Sequence, residues 1–112
     1  MARRYFIKGA VSNGSFTTED MSASYAYAEL SHITFYSDAY VTQVTPTAGT
    51  VTYKQSADGV NYRDMPEGTF NASAAYDADR TPPNGTGMAV KGQLTLSGVT
   101  GATHFIACVW RY

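Results

Sequence analysis

Residues 88–97 alternate strictly between two kinds of surface, and this period of two is the strongest constraint the sequence places on its fold. Met88, Val90, Gly92, Leu94 and Leu96 share one parity; Ala89, Lys91, Gln93, Thr95 and Ser97 share the other. Successive side chains of an extended strand point to opposite faces, so the pattern predicts a strand with one buried and one wet face.

Segments of the same kind recur along the chain with turn residues between them. Residues 4–11 place Tyr5, Ile7 and Val11 on one parity, and a loop is expected through Asn13-Gly14-Ser15. Residues 29–37 carry Ile33 and Phe35 on one face against His32, Thr34 and Tyr36 on the other. Residues 39–45 read as a short strand stopped by Pro46, which cannot donate to a ladder. Residues 49–56 set Val51 and Tyr53 against Thr50, Thr52 and Lys54, and Ala57-Asp58-Gly59 closes a hairpin onto Val60–Asp64. Residues 69–76 form a weaker strand, and the last one, 102–111, is apolar on both parities: Phe105, Ala107 and Val109 against Ile106, Cys108 and Trp110. A strand of that kind is central in its sheet, or its outer face is covered by something else. Thr18–Glu29 offers Met21, Tyr25 and Ala28 at helical spacing, but Ser, Thr and Tyr are mediocre helix formers, so a loop or a single turn is expected.

Short strands at this spacing predict one all-β domain over residues 1–112, an antiparallel β-sandwich of jelly-roll type with about eight strands. Its expected core is Ile7, Ile33, Phe35, Val51, Tyr53, Val90, Leu94, Leu96, Phe105, Ala107 and Val109.

Charge narrows the function classes. Asp, Glu, Lys and Arg make up 15% of the chain, against about 25% in an average soluble domain. The polar places are taken by Thr, Ser, Gly and nine Tyr, a surface suited to being covered, because interfaces enrich Tyr and deplete Lys and Glu. A net charge of −1 with no basic run beyond Arg3-Arg4 argues against nucleic acid as a partner. No apolar stretch is long enough for a spanning helix, and the Met-Ala-Arg-Arg start lacks a signal-peptide core, so synthesis and assembly in a cytosol are expected. Cys108 stands alone, which rules out an internal disulfide and makes it a small core residue by expectation.

No constellation of residues demands catalysis. His32 and His104 are the two imidazoles, both in predicted strands, and no Gly-x-Ser-x-Gly elbow accompanies them. Asp77-Ala78-Asp79 supplies two carboxylates, far fewer oxygen ligands than an EF-hand loop needs. Asp58 and Asp64 flank a hairpin, where Asp serves the turn itself. No catalytic residue, metal ligand or cofactor is therefore expected. Exposed members of the aromatic set Tyr25, Tyr27, Tyr36, Tyr40, Tyr62, Tyr76, Trp110 and Tyr112 could instead stack against a sugar.

Three stretches together carry a resemblance: the hairpin Val51–Tyr62 with its Ser56-Ala57-Asp58-Gly59-Val60-Asn61-Tyr62 turn, the alternating strand Met88–Gly98, and the terminal strand Ala102–Trp110 with its Thr103-His104 entry. Their order resembles that of small β-sandwich virion proteins of tailed bacteriophages, and the chain is similar in size to the jelly-roll decoration (cement or staple) proteins that some short-tailed phages place on their capsids. The sialidase Asp-box differs in having a residue between its Asp and Gly, whereas Asp58 and Gly59 are adjacent. The resemblance implies a structural protein without catalytic residues, bound on the capsid exterior to the major capsid protein and to other copies of itself as a homo-oligomer. A tail or receptor-binding protein, or a carbohydrate-binding module, is the alternative. The interface residues expected are the terminal Arg3, Arg4, Arg111 and Tyr112, with Arg80, Thr81, Pro82 and Pro83 from the aperiodic segment Asp77–Gly87. A stretch of that length without regular structure is usually functional or disordered.

Overall fold

The computed structural model describes residues 3–12, 14–21, 28–73 and 89–111. Eight strands run in chain order: β1 (Arg3–Ala10), β2 (Gly14–Thr17), β3 (Ala28–Tyr36), β4 (Gln43–Val44), β5 (Ala48–Ser56), β6 (Tyr62–Asn71), β7 (Lys91–Thr100) and β8 (His104–Arg111). They form two four-stranded antiparallel sheets, ordered β1-β8-β3-β4 and β2-β7-β5-β6, with no helix among the described residues.

The connectivity follows from how the ends of the chain meet. The first strand pairs with the last in one sheet, and the second pairs with the next-to-last in the other. These two outer pairings are those of a long hairpin wrapped across two layers, and inside them β3 pairs with its chain neighbour β4 and β5 with β6, which makes the fold an antiparallel β-sandwich. The two-residue β4 occupies the edge beside β3.

Inward-facing parities of both sheets supply the core. Tyr5, Ile7, Ile33, Phe35, Phe105, Ala107 and Val109 from the first sheet meet Val51, Tyr53, Leu94 and Leu96 from the second. Phe16 of β2 packs edge-on against Phe105 of the facing sheet, with ring centroids 4.9 Å apart. A polar tie crosses the layers as well: the fully buried Gln55 amide donates to the Tyr53 hydroxyl at 2.9 Å and to the Ala28 carbonyl of the opposite sheet. A buried side chain that reaches across the core fixes how one sheet sits on the other, because leaving its donors unpaired would cost about 1–3 kcal/mol.

One expected core residue is placed differently. Val90 is half-buried, and Ala89 is fully buried in its stead. The chain has not yet entered β7 at this point: the Val90 N–H donates to the Ser56 carbonyl, and its own carbonyl accepts from the Met21 N–H. Those bonds turn its side chain toward Gly59. The loop expected at residues 13–15 contains the start of β2, and the strand expected at 60–64 is joined in β6 with the start of that expected at 69–76; β6 ends at Asn71, and residues 74–76 lie outside the described residues. Of the segment 18–29, residues 18–21 form no helix, residues 22–27 lie outside the described residues, and Ala28 already begins β3.

The turn of the quoted hairpin is closed by its own side chains. Asp58 Oδ1 accepts the Val60 N–H at 2.8 Å, the Asn61 N–H at 2.7 Å and the Ser56 hydroxyl at 2.9 Å, while Oδ2 accepts the Asn61 amide at 2.9 Å. The Gly59 N–H returns to Ser56 Oγ at 2.8 Å. The Ser-x-Asp-Gly-x-x-aromatic motif is thus a turn-building device, with its carboxylate spent on the turn. The two backbone N–H groups, then the Asn61 and Ser56 side chains, hold the Asp58 carboxyl far below its ordinary value of 3.8.

A pH dependence follows. In the unfolded chain this carboxyl takes up a proton near its ordinary value, whereas in the folded chain it stays ionised to lower pH. The turn's contribution is therefore complete above the ordinary value and fades as the pH falls below it. Asp38, lowered by the Thr42 and Val41 N–H groups, acts with the same sign. Urea unfolding between pH 7 and pH 2.5 is expected to show wild-type stability falling below about pH 4, with Asp58→Ala losing part of that slope. An unchanged slope in the variant would contradict this role for the turn.

Candidate interaction face

The two outer faces of the sandwich differ sharply in chemistry. On the sheet β2-β7-β5-β6 the outward positions are mainly polar, and several of them pair with one another across the strands. Ser15 meets Thr95 at 2.9 Å and Thr52 meets Thr69 at 3.1 Å, hydroxyl to hydroxyl, and Lys54 lies 3.5 Å from Asp64. Thr47 and Thr100 repeat the pairing at 3.0 Å beside the β5–β7 ladder.

The outer face of β1-β8-β3 is different. Since Tyr5, Ile7, Phe105, Ala107, Val109, Ile33 and Phe35 point inward, the alternate residues point out, and the strand register sets them in rows. Arg4 is opposite Trp110. Phe6, Cys108 and His32 form the second row, Lys8, Ile106 and Thr34 the third, and Ala10, His104 and Tyr36 the fourth. Phe6 is 53% exposed, although an apolar ring of its size is ordinarily covered, and Ile106 and Trp110 are only half-buried.

Cations frame these apolar groups. The Arg4 guanidinium lies 5.6 Å from the Trp110 ring centroid and the Lys8 ammonium 5.4 Å from that of Tyr40. Both contacts are within cation–π range and draw the charges over the sheet rather than off its edge. Cys108 is fully buried yet belongs to the outward parity, beneath this layer and not in the central core. Burial pushes its thiol up, with nearby Arg4 pulling the other way, so the sulfur is neutral packing at neutral pH.

One end of the face carries an aromatic corner. Asp38 Oδ1 accepts the N–H groups of Val41 and Thr42 at 3.0 and 2.9 Å, and Tyr40 is held at φ 67°, a left-handed conformation uncommon for a non-glycine residue. The strain places the Tyr40 ring edge-on between Tyr36, at 5.8 Å, and His104, at 5.0 Å. Val41 beside it is 79% exposed.

The expected interface residues divide three ways. Arg4 is on this face. Arg3 and Arg111 are register partners at the end of the sheet, where Arg111 Nε has no hydrogen-bond partner among the described residues. Arg80, Thr81, Pro82, Pro83 and Tyr112 lie outside the described residues. Phe6, Lys8 and His104 are not among the residues expected here, while Tyr36 and Tyr40 are expected as stacking aromatics and Ile106 as part of the second apolar parity of residues 102–111. The signal for Phe6 and Lys8 is the outward parity of β1, which becomes meaningful only once β1 is known to pair with β8.

Among the described residues each histidine ring bonds a hydroxyl next to it in the chain. His32 Nδ1 is 3.2 Å from the Ser31 hydroxyl and His104 Nδ1 is 2.9 Å from that of Thr103, in each case a neighbour along the strand. Among the described residues no three His, Cys, Asp or Glu side chains converge as metal ligands would. No family model, characterised protein or solved structure matches the chain.

Proposed function

We propose that this chain is a structural virion protein, a capsid decoration protein of a tailed phage that binds and cross-links major capsid subunits from outside. It is made in the host cytoplasm and acts beside other copies of itself on the particle. The observation that carries the reading is the difference between the two outer faces: one pairs Ser and Thr hydroxyls across its strands, while the other sets exposed Phe6 and half-buried Ile106 and Trp110 between Arg4 and Lys8. Apolar and aromatic groups rimmed by cations are what a docking surface offers, because the apolar centre supplies affinity and the charges supply register. A standard interface takes about 800 Å² from each partner, and a subunit touching several capsomers gains effective concentration from each added contact.

The Tyr36–Tyr40–His104 corner also favours a second reading, a sugar-binding module. Sugars stack on free, flat ring faces. Here the rings meet edge-on at 73° and 65°, and Lys8 lies over Tyr40, so no broad platform is open at this corner.

The test is rebinding to phage particles assembled without this chain. Wild-type protein and Thr52→Lys, altered on the hydroxyl face, are expected to co-sediment with the particles, while Phe6→Asp weakens binding by about 2 kcal/mol or more, the loss typical of a central contact. Equal binding by Phe6→Asp and wild type would overturn the assignment of the face. Capture on a glycan array lost with Tyr40→Ala would favour the sugar-binding module.

A further inference from the structure

Of the four strands that border the two sheets, three are blunted. β2 has four residues and β4 has two. β6 is long, but Pro66 interrupts its donors and its register against β5 breaks between Thr52 and Lys54. β1 alone has none of these devices: its eight residues contain no proline and pair with β8 without a shift from Arg3↔Arg111 to Ala10↔His104. No described residue pairs with its other side. An edge of that length and regularity is a template for one more strand.

We propose that the side of β1 turned away from β8, the side of Arg4, Phe6, Lys8 and Ala10, receives an extended acidic segment of a partner protein, which adds to the sheet as a further strand. The inference rests on the reading of the chain as a docking protein and names the chemistry of its partner. Charge selects the occupant. The β1 sequence Arg-Arg-Tyr-Phe-Ile-Lys-Gly-Ala has three cations and no acid. A second copy paired antiparallel about Phe6 would set Arg4 against Lys8, and like charges directly opposite destabilise a strand pair. An acidic strand turns the same two positions into attraction, so the residues that protect the edge from self-pairing also choose what it accepts. With Arg4 drawn over Trp110 and Lys8 over Tyr40, the backbone donors and acceptors of the edge remain uncovered by these side chains. Main-chain bonds would supply the affinity, and Phe6 would lie beside the added strand's outward side chains.

The experiment is amide hydrogen exchange by NMR on the full chain, titrated with a synthetic peptide as long as β1 that alternates valine with glutamate. Saturable protection of alternate β1 amides is expected, about tenfold weaker with the lysine counterpart of the peptide and lost when the nitrogens on the pairing side are methylated. In the double variant Arg4→Glu, Lys8→Glu the preference should invert toward the lysine peptide, a readout that a merely unfolded variant could not give. Absence of β1 protection at saturating peptide, or equal binding by the methylated peptide, overturns the proposal. Protection of the same amides that depends on protein concentration without peptide would identify a second copy as the occupant and overturn the acidic partner. Peptide binding combined with failure to rebind particles would remove the capsid reading and leave the strand-accepting edge standing.

Discussion

Replacing Leu94 by Ala is expected to lower the unfolding free energy by about 2–5 kcal/mol, read as a shift of the urea midpoint at constant slope. Leu94 is fully buried at the centre of β7, between Phe16 of β2 and Tyr53 of β5 in the register. Truncation removes its methyl groups from an apolar environment and leaves a void under a strand that is paired on both sides. Neither neighbour can move in to fill it without giving up ladder bonds, so the cost belongs in the upper half of the range. Domains of this size have only about 5–15 kcal/mol in total. A change under about 1 kcal/mol would mean that the two sheets are not packed through this residue.

Gly49→Ala is expected to be worse. Gly49 has φ 111°, where L side chains are strained, and an added Cβ would lie 2.5 Å from the Val99 Cα, 2.6 Å from its nitrogen and 2.8 Å from the Gly98 carbonyl carbon. All three are backbone atoms of the paired strand, at the point where the β5–β7 register shifts between Ala48 and Thr50. No rotamer change relieves such a contact, so one strand must leave the sheet. Loss of soluble folded protein, or destabilisation on the order of 4 kcal/mol or more, is the expected result. Gly98→Ala is the matching control: φ is 65° but nothing lies within 4 Å of the added Cβ. It carries the left-handed penalty alone, about 1–2 kcal/mol.

What could be read in advance tracks how local each signal is. The alternation in 88–97 and the two-sided apolar run 102–111 announce β7 and β8 because strand periodicity is written in adjacent residues. β2 was hidden because four residues with Phe16 as their one apolar side chain make too short a pattern, and Asn13-Gly14 looks like a turn. β6 was divided in two because Met65-Pro66-Glu67-Gly68 fall where its register against β5 shifts, and an irregularity of that kind mimics a loop. The misplacement of Val90 has a similar origin: its parity continues that of Leu94, but its hydrogen bonds belong to Ser56 and Met21.

The interaction face was legible only in part. The excess apolar surface of β8 was visible, and so was Arg4. That Phe6 and Lys8 join them depends on pairing between residues a whole chain length apart, which no local pattern encodes. The Tyr40 corner depends on a left-handed tyrosine held by Asp38, again a product of the folded turn.

The central claim, that the chain is a stoichiometric part of a phage shell, is tested most directly by counting it. On the proposed function, purified virions of a phage whose genome carries this sequence, analysed by quantitative mass spectrometry, should contain the chain in a fixed ratio to the major capsid subunit, and emptied heads separated from their tails should retain it. Recovery with the tail fraction at a few copies per particle would contradict the capsid assignment, and absence from the particle would contradict the account of the protein as a virion component altogether.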